Sequence, residues 1–331
     1  MRTELLQWLR CPECKGVLEA IVDERKENQI LEGTLTCRCQ RQYPIRNAVP
    51  RFASREAYAA SFGFEWGMHR TTQLDSANQN GLSEKMFQSR IDFPLSRLQG
   101  QRVLDAGCGM GRYAEVAARH GAIVIGVDLS QAIEVAYQNI GFRDNVHLIQ
   151  ADLFHLPFEE ETFDFIYSYG VLHHTPCAEK AFGKLPPLLK KGGTLSMFVY
   201  DNYNKAIVYS SHFWRTWTTR LPRRLLYYLC AFSIPAYFVY RLPLIGQMLK
   251  GIFVISMEKD WRWRWLDTFD WYSPKYQSKH THAGVSQWFE KNGLSNIKIF
   301  EGGVTMLGTK QEAREPSKEK DFTNVWHSRA I

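Results

Sequence analysis

Three aspartates and a run of glycines carry most of the chemistry that can be read from this chain. Asp105, Asp128 and Asp152 each end an apolar run, and Gly107, Gly109 and Gly111 follow the first of them in VLDAGCGMGRYAEVAARHGA. Glycines at such a strand end let the backbone approach a ligand where any Cβ would intrude, so a nucleotide-type site is implied. A dinucleotide fingerprint needs a glycine or alanine three places after its second glycine, and Arg112 occupies that place. A carboxylate beside the loop would also repel a pyrophosphate, and it suits a cofactor that carries positive charge. Asp128, in GVDLS, is placed to accept hydrogen bonds from two ribose hydroxyls, and Asp152, in QADLFHLPF, one from an adenine amino group. Each aspartate alone could be a helix cap or turn residue. Together, at three strand ends, they form a constellation where open α/β sheets bind ligands.

The elements that must position these groups follow from the alternation of the sequence. From Arg102 to Tyr200 strand-like runs alternate with helix-like segments: RVLDAG, a helix through Ala118, AIVIGVDL, a helix through Asn139, NVHLIQAD, FDFIYSYG, a helix over Ala178 to Leu189, and GTLSMFVY. Such alternation implies a parallel sheet covered on both faces. After an interruption the pattern resumes with a helix over Gly284 to Asn292, ended by Gly293, and with strands at NIKIF and VTMLGT that form an antiparallel closing pair. The chain thus divides into residues 1–53 with paired cysteines, a helical lead-in over 54–100, and an α/β domain over 101–310 with a helical insertion at 204–269. Residues 311–331 are a charged tail, expected to be solvated and mobile.

In order, spacing and wording these segments resemble the class I S-adenosylmethionine-dependent methyltransferases over residues 100 to 200 and again over 270 to 310. In style they are closest to the methylases of small molecules and quinone-like substrates. DAGCGMG is similar to that family's first motif, Asp128 to its ribose-binding acid, and Ala151-Asp152-Leu153 to its adenine pocket. FDFIYSYGVLHH and LKKGGTLSMFVY resemble the fourth strand with its following loop and the turn before the fifth strand. The resemblance implies a Rossmann-like, seven-stranded, mostly parallel sheet with helices on both faces. It implies an S-adenosylmethionine site made by Asp105, Ala106, Gly107, Gly109, Asp128, Leu129, Ala151, Asp152, Leu153 and Ser168, and methyl transfer to a small or lipid-like acceptor at oxygen or carbon.

Transfer from a sulfonium is an in-line displacement, so the protein mainly aligns the reactants and excludes water, with a general base where the acceptor must lose a proton. His173 and His174, in GVLHHT, are the candidates for that base; the alternative is that they support the loop or cap the next helix. Asp201, Tyr203, Asp270, Tyr272, His280 and His282 are further candidates. Ser168-Tyr169-Gly170-Val171 lacks the acid or amide, prolines and aromatic that methylases of exocyclic base amines carry in this loop, which disfavours adenine or cytosine amino methylation.

Four of the seven cysteines fall in the first forty residues. LRCPECKGVL followed by CRCQRQYPIRNAVPRF resembles the short zinc ribbon typified by the activator subunit of tRNA methyltransferases, which also occurs fused to methylases. The resemblance implies that Cys11, Cys14, Cys37 and Cys39 supply four thiolates to a tetrahedral, structural zinc. The second pair departs from that family by having one intervening residue instead of two, which tightens its turn. A cysteine-lined ribbon without metal is the alternative.

At 45% apolar and 23% charged residues the composition is that of a globular protein, and disorder is not the default. A formal charge of +7 and a pI near 9.0 suit an anionic partner, nucleic acid or an acidic membrane surface. No apolar signal-peptide core precedes Cys11, so a cytoplasmic location is expected. Within the insertion, LLYYLCAFSIPAYFVY is the longest uncharged run; it is shorter than the roughly 20 residues needed to span a bilayer, and it contains Pro235. Arg220, Arg223, Arg224, Arg241, Lys250 and the alternating WRWRW at 261–265 surround it. Residues 220–265 therefore read either as an interfacial element collecting a lipid-like substrate at the inner membrane surface, or as a helical lid packed on the core. Alternating Trp and Arg also suit base stacking, which keeps an RNA methyltransferase as the alternative function, disfavoured by the fourth-strand loop. An NAD-dependent oxidoreductase, which Arg112 opposes, and a catalytically silent methylase partner complete the set. Nothing in the sequence sets the oligomeric state.

Overall fold

The computed structural model describes residues 1–53 and 58–311, so the tail expected from 311 on lies, past its first residue, outside the described residues. Near the start of the chain β1 (Leu18–Lys26), β2 (Gln29–Cys37), β3 (Gln42–Arg46) and β4 (Val49–Pro50) pair antiparallel in that order. Three short helices follow, α1 (Ala60–Met68), α2 (Asp75–Asn78) and α3 (Leu82–Gln88).

The second sheet has seven strands: β5 (Arg102–Ala106), β6 (Ile123–Asp128), β7 (Val146–Gln150), β8 (Phe163–Tyr169), β9 (Leu189–Val199), β10 (Leu294–Phe300) and β11 (Val304–Lys310). Their order is β10-β11-β9-β8-β5-β6-β7. Strands β5 to β9 run parallel, and β11 lies antiparallel to both β9 and β10, the closing pair expected from the sequence. The chain leaves β5 for β6 and β7 on one side and then crosses to β8 and β9 on the other. The carboxyl ends of β5 and β8 therefore flank a topological switch point, the crevice in which such sheets bind ligands.

Helices α4 (Arg112–Arg119), α5 (Ala132–Ile140) and α6 (Ala178–Phe182) connect the parallel strands. The helix expected from Ala178 to Leu189 ends at Phe182. Pro186 and Pro187 have no N–H to continue it, and they close the segment as a 3-10 turn over Pro186–Leu188. The insertion folds as α7 (Lys205–Thr218), α8 (Arg223–Cys230), α9 (Ser233–Tyr240), α10 (Pro243–Ile252) and α11 (Trp261–Tyr272), after which α12 (His282–Lys291) leads back to β10. The long uncharged run is split between α8 and α9. No helix among the described residues is long and apolar enough to cross a membrane.

Strand alternation sorts the core. Val103 and Val124 point to a layer with Ala114, Ala117 and Ile133, while Leu104 and Ile125 point to one with Phe182, Val285 and Phe289. The second layer continues without a break into Leu5, Leu9 and Leu35, so the first sheet shares its core with the second. The backbone joins them too: Arg10 N–H donates to Pro157 O at 2.9 Å and Phe52 N–H to Gln150 O at 2.7 Å. An ion pair between Arg51 and Glu134 reinforces this seam, which covers the β7 edge of the main sheet.

Candidate functional site

A cavity of about 380 Å³ opens at the carboxyl ends of β5, β6 and β8. On the sheet side it is lined by Asp105, Gly107, Gly109, Asp128, Leu129 and Leu153. The glycine loop owes its shape to its neighbours. Gly107 has φ +95°, and a Cβ there would lie 2.4 Å from the Val171 methyls. Gly109 has φ +52°, with the indole nitrogen of Trp66 3.1 Å from where its Cβ would stand. Both conditions select glycine.

Asp105 is 3% exposed and its Oδ2 has no hydrogen-bond partner. Burial, with the Asp128 charge adding to it, pushes its carboxyl up to about 8. A buried acid left unpaired at a ligand loop is what an incoming cation would satisfy. Asp128 is partly spent locally: Oδ2 accepts the Gly109 N–H at 2.9 Å, and Oδ1 accepts the Ser130 N–H and hydroxyl at 2.8 and 2.7 Å. A carboxylate offers about four acceptor positions, so about one remains for an incoming hydroxyl. Burial also raises the Asp128 carboxyl.

The structure does not bring all the expected residues to the cavity wall. Ala106 and Ala151 are fully buried in the sheet, and the Ser168 hydroxyl, also buried, donates to Ala106 O at 2.8 Å behind the wall. Asp152 caps the turn after β7 through the Phe154 N–H at 3.1 Å and takes the Tyr58 hydroxyl at 3.4 Å. Tyr58 itself lines the cavity.

The two histidines part company. His173 is fully buried, its ring centroid 3.9 Å from that of Tyr200 and tilted against it, and its carbonyl accepts the Ser278 N–H at 2.8 Å. His174 lines the cavity. Its Nδ1 lies 3.0 Å from the Tyr276 carbonyl, which can only accept; this fixes the neutral tautomer with Nδ1–H and leaves Nε2 a bare lone pair. That Nε2 stands 3.9 Å from Asp270 Oδ1, while Asp270 Oδ2 accepts the Tyr200 hydroxyl at 2.6 Å. Burial lowers the His174 pKa, keeping the ring unprotonated near neutrality.

Sequence reasoning missed the opposite wall. Glu65 and Trp66 of α1 and Trp263, Asp267 and Trp271 of α11 line the cavity with Asp270. Glu65 is 1% exposed with Oε2 unpartnered, and burial, followed by the charges of Asp270 and Asp267, raises it well above the usual carboxylate range. Asp267 is pushed up to about 8, chiefly by burial. A carboxylate inside the apolar run ASFGFEWGM was the available signal for Glu65. Arg112 does more than break a fingerprint. Its Nε donates to Ser83 Oγ at 2.9 Å and Nη1 to Gln73 Oε1 at 3.2 Å, while its guanidinium lies 4.7 Å from the Trp263 ring centroid. It pins the lead-in and the insertion to the glycine loop.

Of the other candidates only Asp270 reaches the wall. The Tyr272 hydroxyl donates to Val254 O at 2.8 Å, His280 pairs with the Ser278 hydroxyl, and Tyr203 stacks on His282 away from it.

Far from the cavity, one sulfur from each of Cys11, Cys14, Cys37 and Cys39 lies within 4.8 Å of the other three. The contacts Cys11–Cys39 at 3.7 Å and Cys14–Cys37 at 3.4 Å approach the separation of about 3.8 Å set by tetrahedral zinc–sulfur bonds of about 2.3 Å. Lys15 at φ +58° and Gln40 at φ +68° turn the two loops back, each N–H donating to a cysteine carbonyl at 2.9 Å, of Cys11 and Cys37, and the one-residue spacing of the second pair is accommodated. The cluster is compatible with structural zinc.

Residues 104–197 match the family described as methyltransferase domain, and residues 2–47 match that of Trm112p-like proteins. Over 115 residues the chain is 35% identical to a ubiquinone biosynthesis O-methyltransferase of Coxiella burnetii, covering 34% of this chain and 49% of that protein. Over 116 residues it is 30% identical to a sterol 24-C-methyltransferase of Schizosaccharomyces pombe, covering 33% of this chain and 31% of that one. The chain thus spans half or less of the length of these relatives. A solved complex containing the Trm112 methyltransferase activator of Haloferax volcanii aligns with a TM-score of 0.47 at 14% identity, over 77% of this chain and 99% of the other.

Proposed function

We propose that this protein is an S-adenosylmethionine-dependent methyltransferase acting on a small or lipid-like acceptor at oxygen or carbon. The observation that carries the reading is one cavity with two kinds of wall: a glycine loop with unpaired Asp105 and with Asp128 on the sheet side, and aromatic rings with carboxylates on the other. The matched methyltransferase domain and the names of the relatives, one for ubiquinone biosynthesis and one for a sterol, support an acceptor of this class. In this reading residues 1–53 are a structural zinc ribbon, 54–100 a lead-in that closes the cavity through residues from Tyr58 on, and 101–310 the transferase domain with 204–269 as its lid.

Bound S-adenosylmethionine supplies an electrophilic methyl on a positively charged sulfur. Asp105 answers the cofactor's positive charge, Asp128 takes a ribose hydroxyl, and Leu129, Leu153 and Tyr58, whose hydroxyl Asp152 holds, border the adenine. Phe62, Trp66, Phe198 and Trp263 line the remaining wall and exclude water from the aligned reactants. His174 Nε2 receives the acceptor's proton, and Asp270 beside it stabilises the imidazolium that results. An acceptor of lipid character is met at a membrane, and we read the protein as cytoplasmic and peripheral to the inner membrane surface.

Mass spectrometry of small molecules retained by the purified protein tests this. The expected finding is S-adenosylmethionine or its demethylated product; retention of a nicotinamide dinucleotide in their place would overturn the reading.

A further inference from the structure

Helix α7 is built inside out. Its buried residues are Ser210, Ser211, Arg215 and Thr218, whereas Tyr209, Phe213 and Trp217, one turn apart, are 72%, 59% and 63% exposed. Arg215 satisfies itself inward on the Trp271 and Pro274 carbonyls, at 3.1 and 2.6 Å. Helix α10, joined to α7 through the Ile252 carbonyl, repeats the arrangement: Leu244, Met248 and Ile252 follow at the same spacing and are 80%, 72% and 58% exposed. Among the described residues, sixteen of the twenty-three exposed large hydrophobics lie between Tyr203 and Trp261. A water-facing helix shows the reverse pattern, and an apolar patch of this kind marks an interaction surface.

Charge identifies the occupant. Residues 202–257 contain no aspartate or glutamate and seven lysines or arginines. Of these Arg220, Arg223, Arg224 and Arg241 are exposed at the ends of α7, α8 and α9. Apolar side chains rimmed by cations with no anion among them fit a surface that is apolar within and negative at its face. The aromatic rings of α7 could meet a base or a lipid, but the exposed aliphatic groups of α10, Leu244, Met248 and Ile252, have no π-face to stack on a base, which favours a bilayer over an RNA groove. Trp263 and Arg264, which the sequence placed on the outer fringe, face inward instead; α11 is the layer between the cavity and α7–α9.

We propose that the outer faces of α7–α10 dock on an anionic lipid bilayer, so that α11 and the cavity behind it stand next to the membrane. This rests on the lipid-like acceptor proposed above and adds the surface and the headgroup charge.

The test is co-sedimentation of the full chain with vesicles of phosphatidylcholine alone and of phosphatidylcholine mixed equally with phosphatidylglycerol. Two variants accompany it, Phe213→Asp/Trp217→Asp/Met248→Asp and Arg220→Glu/Arg223→Glu/Arg224→Glu, all at exposed positions. The expected result is binding to the anionic vesicles that weakens with salt and falls on the order of tenfold or more in each variant. Absence of vesicle binding, binding by the variants equal to that of the unaltered chain, or a concentration-dependent dimer that the apolar variant abolishes would overturn the proposal, as would salt-sensitive RNA binding without vesicle binding. Calorimetry with S-adenosylmethionine on the same preparations separates the two readings. Intact cofactor affinity without vesicle binding removes the membrane surface alone, and vesicle binding without cofactor affinity removes the transferase.

Discussion

Helix α4, behind the glycine loop, turns Ala114, Val116 and Ala117 into the core and leaves Arg119 nearer water, whereas α7 turns Ser210, Ser211 and Arg215 inward and leaves Tyr209, Phe213 and Trp217 outside. Both helices have one apolar stripe, but only the first spends it on the protein's own core. The sheet half of the molecule is therefore stabilised by what its sequence buries, and the insertion carries a surface whose apolar area contributes nothing to the isolated fold. The two halves should respond differently to substitution.

The largest effect is expected in the sheet half, at the cysteine cluster. Because Leu5 and Leu9 belong to the same core as Phe182 and Phe289, removing metal by a chelator or by Cys14→Ser should cost several kcal/mol across the sheet half. Thermal unfolding followed by zinc content checks it; an unshifted melting temperature in a metal-free variant would separate the ribbon from the rest. Next, Asp128→Ala should weaken S-adenosylmethionine binding about 100-fold, or about 2.7 kcal/mol, with circular dichroism unchanged. Calorimetry showing unaltered affinity would remove the ribose assignment.

Gly107→Ala should follow, costing about 2 kcal/mol or more through its left-handed backbone and the clash with Val171, read as a lower melting midpoint. Per pH unit, a smaller effect comes from titration. Asp105, held protonated up to about 8, keeps a proton in the folded chain that the unfolded chain releases near 4, so ligand-free stability falls as pH rises between those values. A bound cation favours the ionised form, so cofactor affinity should strengthen toward pH 8 by up to about tenfold per unit and then level off. A flat profile in the wild type, or an unchanged slope in Asp105→Asn, would contradict this. Least of all, Phe213→Ser should move stability by no more than about 0.5 kcal/mol, since the side chain is largely in solvent. A large loss on denaturant titration would show that α7 is an ordinary lid and erase the contrast with α4.

The sheet was legible because its signals are local. Strand alternation, the glycine loop and an aspartate at each strand end lie within a few residues of one another, and the structure gives all seven strands in the expected places. Even the Cys-x-Cys departure was readable as four sulfurs. Of the far wall only Asp270 was among the candidates; Glu65 and Asp267 come from segments some two hundred residues apart that meet only through tertiary packing. No period or motif links Glu65 to Asp267. The histidine pair shows the limit at close range: neighbours in sequence, one packs against Tyr200 and the other lines the cavity, its ring held by the carbonyl of Tyr276. In α7 the periodicity is present but its direction depends on which solvent the helix meets, and a pattern alone does not specify that.

The most direct test of the central claim is a calorimetric titration of the full chain with S-adenosylmethionine, its demethylated product and NAD, in buffers of different ionisation enthalpy. The account predicts one-to-one binding of S-adenosylmethionine with release of a proton below pH 8, binding of the demethylated product, and no heat with NAD. Saturable NAD binding with no response to either adenosyl compound would contradict it.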